Sequence, residues 1–259
     1  VGERQRVSVS LITLNEENHV RACLESVKWA DEIVVVDSFS TDATRNIARE
    51  YTDRVIEREW RGINDQRQFA LEQCREPWVL CIDADERVTP ELRDEILAVL
   101  SRPDPDCAGF MTPRKAWYLG RWIKHCGWYP DYKPRLFRKD KGRFGDNDPH
   151  DRILLDGTTR KLKGDLLHFT YRDLAHNADT INRFTTTRAE KFIREGKGAG
   201  FLDFTLHPIW RFFQQYVLRG GFLDGMPGLI ISGMSAFSVF LRQAKVWEGT
   251  HATDEERPE

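Results

Sequence analysis

Trp78-Val79-Leu80-Cys81-Ile82-Asp83-Ala84-Asp85-Glu86 is the stretch that decides the fold. Five apolar residues in a row end abruptly in three carboxylates. An apolar run without polar alternation fits a strand covered on both faces, as in a parallel sheet. The carboxylates then emerge at its carboxyl end, which is where open α/β sheets bind ligands.

The same pattern repeats toward the N-terminus. Val7 to Thr13 is a strand pattern ending in Thr13-Leu14-Asn15-Glu16. Glu32 to Val36 is another, ending in Asp37-Ser38, and Arg54 to Glu57 is a short third. Helix patterns alternate with them. Val20, Cys23, Leu24 and Val27 recur at helical spacing within Glu16 to Val27. Ser40, Thr41 and Asp42 offer N-cap chemistry for a helix carrying Ala43, Ile47 and Tyr51. Ile63 to Cys74 reads as helix, and Thr89-Pro90 opens another through Leu100. Strand–helix alternation with buried strands predicts an α/β, mostly parallel, doubly wound sheet. Three polar strand ends then meet in one crevice.

After Pro103 the alternation stops. Short strands are expected at Ala108 to Thr112, Arg135 to Arg138, Ile153 to Leu155 and Leu166 to Thr170, and helix from Thr180 onward. The expected organisation is one α/β domain over residues 1–178, a helical extension over 179–248, and an acidic tail over 249–259. Composition is globular, which excludes wholesale disorder. Net charge is −2 over 259 residues, yet from Met111 to Trp247 there are 24 Lys and Arg against 13 Asp and Glu. Such a basic half suits phosphates, an anionic membrane surface or nucleic acid. Five cysteines without a CxxC argue against a disulfide framework or zinc site and for a reducing compartment. No secretory signal pattern is visible, so the expected location is cytoplasmic.

Asp83 and Asp85 lie two residues apart at a strand end, so both point to one side. Two hard oxygen donors there suit Mg²⁺ or Mn²⁺ bridging to a diphosphate. A lone D-x-D is common in surface loops; the preceding buried strand and its two polar neighbours give it weight. Asp37 can accept a hydrogen bond from a base or a ribose, or cap the next helix. Arg67 can meet a diphosphate, or lie on a solvated face. His168, in an apolar strand, reads by itself as a core histidine. Trp117, Tyr118, Trp122, Trp128 and Tyr129 crowd among basic residues. Sugars stack on aromatic faces and phosphorylated acceptors attract cations, so Trp128, Tyr129 and Arg135 are expected on the acceptor side.

Thr13-Leu14-Asn15-Glu16-Glu17, Val35-Val36-Asp37-Ser38 with Thr41-Asp42-Ala43-Thr44, and Asp83-Ala84-Asp85-Glu86 resemble, in order and spacing, the signature series of family-2 glycosyltransferases. Trp117-Tyr118-Leu119-Gly120, Gly127-Trp128-Tyr129-Pro130-Asp131, Arg135-Leu136-Phe137-Arg138 and Gly221-Phe222-Leu223-Asp224-Gly225 are similar to the bacterial branch that includes lipopolysaccharide-core glucosyltransferases. The resemblance covers residues 7 to 248. It implies a GT-A fold, an inverting single displacement and a UDP-sugar donor, glucose foremost. It implies that Thr13, Asn15, Glu16 and Asp37 hold uridine, that Arg67 lies near the diphosphate, and that the Asp83-Ala84-Asp85 segment meets ribose and metal. It implies a metal or diphosphate contact for His168. The branch places its base in a His-Glu pair; here Pro149-His150-Asp151-Arg152 carries Asp, which shortens the reach. Asp151 is the expected base, with Asp148 the second choice.

Two rival classes remain at this point. A nucleotidyltransferase would need a glycine-rich loop after the first strand, and Thr13 to Asn18 has no glycine. A non-catalytic glycan- or nucleic-acid-binding module would use the aromatic, basic surface, but no recognised RNA-binding motif is present, and nucleic acid is not an expected partner. Leu206 to Leu241 carries many aromatics, and its uncharged run after Pro227 is shorter than a bilayer span. Peripheral contact with the inner membrane face, near a saccharide or glycolipid acceptor, is expected.

Overall fold

The computed structural model describes residues 4–102, 106–145 and 153–251. The chain forms two units, Val1–Lys115 with Pro130–His168, and Ala116–Tyr129 with Phe169–Glu259. The C-terminal unit takes up the chain from Phe169 and includes the aromatic stretch Ala116–Tyr129.

The first unit begins with β1 (Val7–Thr13), α1 (Val20–Val27), β2 (Glu32–Asp37), α2 (Thr44–Arg49), β3 (Val55–Glu57), α3 (Ile63–Gln73), β4 (Trp78–Asp83), β5 (Glu86–Val88) and α4 (Pro90–Ser101). There follow β6 (Cys107–Tyr118), whose end joins β7 (Arg121–Trp122) in the second unit, then β8 (Asp131–Arg138), β9 (Gly142–Phe144), β10 (Ile153–Leu155), β11 (Thr158–Lys161) and β12 (Leu166–Phe169). The main sheet runs β3-β2-β1-β4-β8-β6-β12-β5, with β11 also pairing β6. Its first four strands are parallel; β8 then joins antiparallel to both β4 and β6. The sheet is therefore mixed, with a parallel nucleotide-type half.

Val7, Val9, Leu11, Val35, Leu80 and Ile82 are buried with Val20, Leu24, Leu92 and Ile96, so helices cover one face of β1, β2 and β4. Val34, Val36, Val79 and Cys81 pack with Ala70, Leu71 and Phe137 on the other. Two-sided burial is why these strands read as unbroken apolar runs. The chain moves outward from β1 through β2 to β3, then returns to place β4 on the other side of β1. This reversal opens a crevice at the strand ends. Register fixes its floor: Thr13 lies beside Asp37, and Ile12 beside Asp83.

The second unit holds α5 (Leu174–Arg194), α6 (Phe201–Phe213) and α7 (Gly225–His251). Helix begins at Leu174 instead of 180 because Asp173 caps it, accepting from the His176 N–H at 2.7 Å. Pro208 lies inside α6, and a π-turn, Gln214–Leu218, follows it. Tyr118, Ile123, Cys126 and Ile231 form this unit's small core. All five cysteines are buried free thiols.

Candidate active site

The crevice is built by two stitched loops and a buried ion cluster. Asp37, fully buried at the end of β2, accepts from Thr13 Oγ1 at 2.8 Å, Ser40 N at 2.7 Å and Ser40 Oγ at 2.5 Å. Burying a carboxylate demands such partners. The β1–α1 loop is tied to the β2–α2 loop beside it. Asn15 N–H donates to Ser40 Oγ at 2.8 Å, and its Oδ1 accepts from Thr41 N–H at 2.9 Å. Glu16 N–H donates to Thr44 Oγ1 at 2.7 Å. These bonds draw Glu16 to His19 out of the expected helix, so α1 starts at Val20. Asn15 has φ 54°, a left-handed conformation that Asn tolerates better than branched residues. Thus Thr13, Asn15, Glu16 and Asp37 do come together, with Asp37 as organiser of the loops.

Phe39 and Gln66, which sequence reading passed over, complete this corner together with Leu14. Phe39 holds φ 60° and is 52% exposed, and Leu14 is 47% exposed. Each lies one residue before the bonded Asn15 and Ser40, so two apolar side chains flank the loops. Gln66 of α3 is buried and donates to Ser38 Oγ at 3.0 Å. No local motif marks either one.

The ion cluster lies under β4. Arg67, next after Gln66 on α3, pairs with Asp83 Oδ1; Arg135 of β8 pairs with Asp83 Oδ2 at 2.8 Å and Glu86 Oε1 at 2.6 Å. Both guanidinium groups are 3% exposed. Glu86 Oε2 also accepts from Asp83 N–H at 3.0 Å, and Arg114 stands 3.7 Å from Oε1. Burial alone would raise the Asp83 carboxyl, but the charges of Arg67 and then Arg135 outweigh it. They hold it well below the usual carboxylate range. For Arg135, burial works against the charge, and Glu86 and Asp83 more than compensate. Arg135, expected to face an acceptor, therefore sits beneath Asp83. Glu86 was legible only as the fourth member of Asp83-Ala84-Asp85-Glu86.

Above this floor Ala84 is buried and Asp85 is partly exposed. β12 pairs antiparallel with β5, setting His168 against Glu86. His168 Nε2 lies 3.1 Å from Asp85 Oδ2, with the side chains 14% and 26% exposed. An octahedral ion with bonds of about 2.1 Å sets neighbouring donor atoms about 3 Å apart. An oxygen and a nitrogen at this spacing would serve as two donors to such an ion. Among the described residues no three His, Cys, Asp or Glu stand together as a metal-holding group; Asp85 and His168 would supply two donors. Asp148 and Asp151 lie outside the described residues.

In the second unit Trp128 stacks on Tyr118 at 5.7 Å, and Tyr118 in turn accepts from Asn177 Nδ2 at 2.6 Å. Trp128 and Tyr129 are both half-buried.

Comparison with known proteins identifies the family and the fold. The family profile described as Glycosyl transferase family 2 matches residues 8–162. A lipopolysaccharide core biosynthesis glycosyltransferase of Rhizobium meliloti, LpsC, is 32% identical over 93% of this chain and 92% of its own. An uncharacterized glycosyltransferase of Rickettsia felis is 30% identical over 94% and 90%. The crystal structure of Mycobacterium tuberculosis glucosyl-3-phosphoglycerate synthase, with Mn²⁺, uridine diphosphate and glucosyl-3-phosphoglycerate, aligns with TM-score 0.50 and 20% identity. The alignment covers 76% of this chain and 82% of that one, a likeness of fold alone. The expected GT-A fold is met, and the rival nucleotidyltransferase and binding-module readings give way. The chain belongs to glycosyl transferase family 2 and is a glycosyltransferase.

Proposed function

We propose that the protein transfers a hexose, glucose foremost, from a UDP-sugar to a surface-glycan acceptor such as lipopolysaccharide inner core or a lipid-linked saccharide. The observation that carries the donor half is the Asp85–His168 pair standing beside an arginine-clamped Asp83 at the sheet's reversal point. The acceptor class rests on the LpsC likeness, which runs nearly the full length of both chains.

Uridine lies over the loops organised by Asp37, bounded by Thr13, Asn15, Glu16 and the exposed Phe39 ring. Asp83, kept ionised and fixed by Arg67 and Arg135, presents its exposed edge with Ala84 to the ribose. Asp85 and His168 would hold Mg²⁺ or Mn²⁺, which offsets charge on a departing diphosphate. The acceptor hydroxyl attacks the anomeric carbon as its bond to the diphosphate oxygen breaks, and the bonding pair leaves with UDP. Asp151, or Asp148, takes the hydroxyl proton. Attack opposite the leaving group inverts the anomeric centre. Trp128 and Tyr129 meet the acceptor; Arg135 acts through Asp83.

The protein works peripherally on the inner face of the membrane. Of 22 large apolar side chains exposed among the described residues, 17 fall between Leu174 and Trp247, so the apolar surface is concentrated in the second unit. Gly221–His251 is long and apolar enough to cross a bilayer. However, α5 packs along α7 and carries Asp179, Arg183, Arg188, Glu190, Lys191 and Arg194. Drawing such charges to mid-bilayer costs at least about 2.5 kcal/mol each, which favours lying on the surface.

Transfer of labelled glucose from UDP-glucose to heptose-terminated core or to a polyprenyl-linked sugar tests the reading. An inverted linkage seen by NMR is expected. Label entering neither acceptor, or entering with retained configuration, counts against it.

A further inference from the structure

We infer that Arg188, Arg211, Arg219 and Arg242 form a strip that binds the phosphates of anionic lipid headgroups, while the neighbouring apolar side chains enter the leaflet. This rests on the reading that the protein works at a membrane face, and it names the contact. Arg188, Arg211 and Arg242 come one from each of α5, α6 and α7, and Arg219 from the turn between α6 and α7. Phe204 and Phe240, with ring centroids 5.9 Å apart, pin α6 to α7. Arg242 follows Phe240 by two residues, and its guanidinium lies 5.1 Å over the ring of Phe192 on α5. Arg188 lies one turn before Phe192, on the same face. Arg211 lies two turns beyond Phe204 on α6 and donates to Gln214 Oε1 at 3.2 Å. Arg219 follows the π-turn, packed against Gly127, where an added Cβ would fall 2.4 Å from Nη1.

Among the described residues, no carboxylate stands within ion-pair distance of these four arginines. The contrast with the first unit is plain, where Arg67, Arg114 and Arg135 all face carboxylates. Arg242 Nε is buried without a hydrogen-bond partner. Burial, then the charges of Arg219 and Arg188, lower the pKa of Arg211; burial, then Arg188, lower that of Arg242, against a smaller upward pull from Asp203. Like charges gathered with no carboxylate in ion-pair contact call for an anion. Its source is indicated by the surroundings: Ile209, Trp210, Phe213, Val217 and Leu218 flank Arg211 and Arg219 and are 67%, 56%, 41%, 43% and 60% exposed. Aromatic and aliphatic side chains beside cations are the composition of an interfacial element, and a soluble phosphate offers nothing to them.

The test is sedimentation of the full chain with vesicles of phosphatidylcholine, alone or mixed with phosphatidylglycerol. Each arginine near an anionic surface contributes about fivefold in affinity, so Arg188→Gln/Arg211→Gln/Arg242→Gln should weaken binding to the mixed vesicles about a hundredfold. The matching triple Lys variant, which keeps the charges, should stay within about threefold of the parent. Ile209→Ser/Trp210→Ser/Phe213→Ser should lose binding to both vesicles. If the Gln variant keeps parental affinity, the arginine assignment is wrong while docking stands. If the parent binds neither vesicle, docking fails as well. Displacement by inorganic phosphate at matched ionic strength would make the strip a soluble-phosphate site and overturn the proposal, as would resistance to alkaline carbonate extraction, which marks a spanning helix. UDP binding, measured in parallel, reports separately on the donor reading.

Discussion

Arg135→Met removes the cation that joins Asp83 to Glu86. Glu86 is fully buried, accepts from Arg135 at 2.6 Å, and would be left with Arg114 at 3.7 Å. Removing one partner of a buried pair costs about 3–5 kcal/mol, because the other charge stays desolvated. For a chain of this size each kcal/mol moves the melting midpoint by about 2–4 °C, so a fall of about 6–20 °C is expected. Urea unfolding followed by tryptophan fluorescence, with calorimetry alongside, measures both quantities. The double variant Arg135→Met/Glu86→Gln carries no stranded carboxylate and should recover most of the loss, although Asp83 is then less firmly held and UDP binding stays weak. A parental midpoint for Arg135→Met, or no recovery in the double variant, would refute the view that the buried cluster is one electrostatic unit.

Asp83 is held below the usual carboxylate range, so its contribution is fully present above its unfolded pKa near 3.9 and is lost only as pH falls through the lower folded value. Asp83→Asn should therefore flatten the stability-versus-pH curve below about pH 4; an unchanged acid limb in urea titrations contradicts this. Phe39→Ala should weaken UDP binding by about 1–3 kcal/mol if the ring stacks on the base, read by calorimetric titration, and equal affinity removes the ring from the site. Gly164→Ala should destabilise by about 1–3 kcal/mol, because its Cβ would fall 2.4 Å from Leu92 Cα on α4; a neutral result in thermal melts denies that close approach.

The parallel half was legible because its strands are buried on both faces. Continuous apolar runs such as Ile33 to Val36 and Val79 to Ile82 have few other interpretations, and their polar ends fell where register put them, Thr13 beside Asp37 and Asp83 beside Ile12. The short strand Glu86–Val88 was not legible, since three residues bearing two charges show no period. Strand β6 runs on to Tyr118, well past Thr112, through Pro113, Arg114 and Lys115, residues that read as loop. The Asp85–His168 pairing depends on β12 returning beside β5, a long-range contact that local pattern does not encode. Likewise Arg135 stands in a basic run, and only the sheet's antiparallel switch at β8 carries it under Asp83.

The most direct test of the central claim is donor binding by the purified protein across UDP-, GDP- and dTDP-sugars, with and without Mn²⁺ or Mg²⁺, set against Asp85→Ala. The account predicts that a UDP-sugar binds or is slowly hydrolysed, that metal is required, and that Asp85→Ala loses the metal response. Metal-independent binding that Asp85→Ala leaves intact, or no nucleotide-sugar binding under any condition, would contradict it.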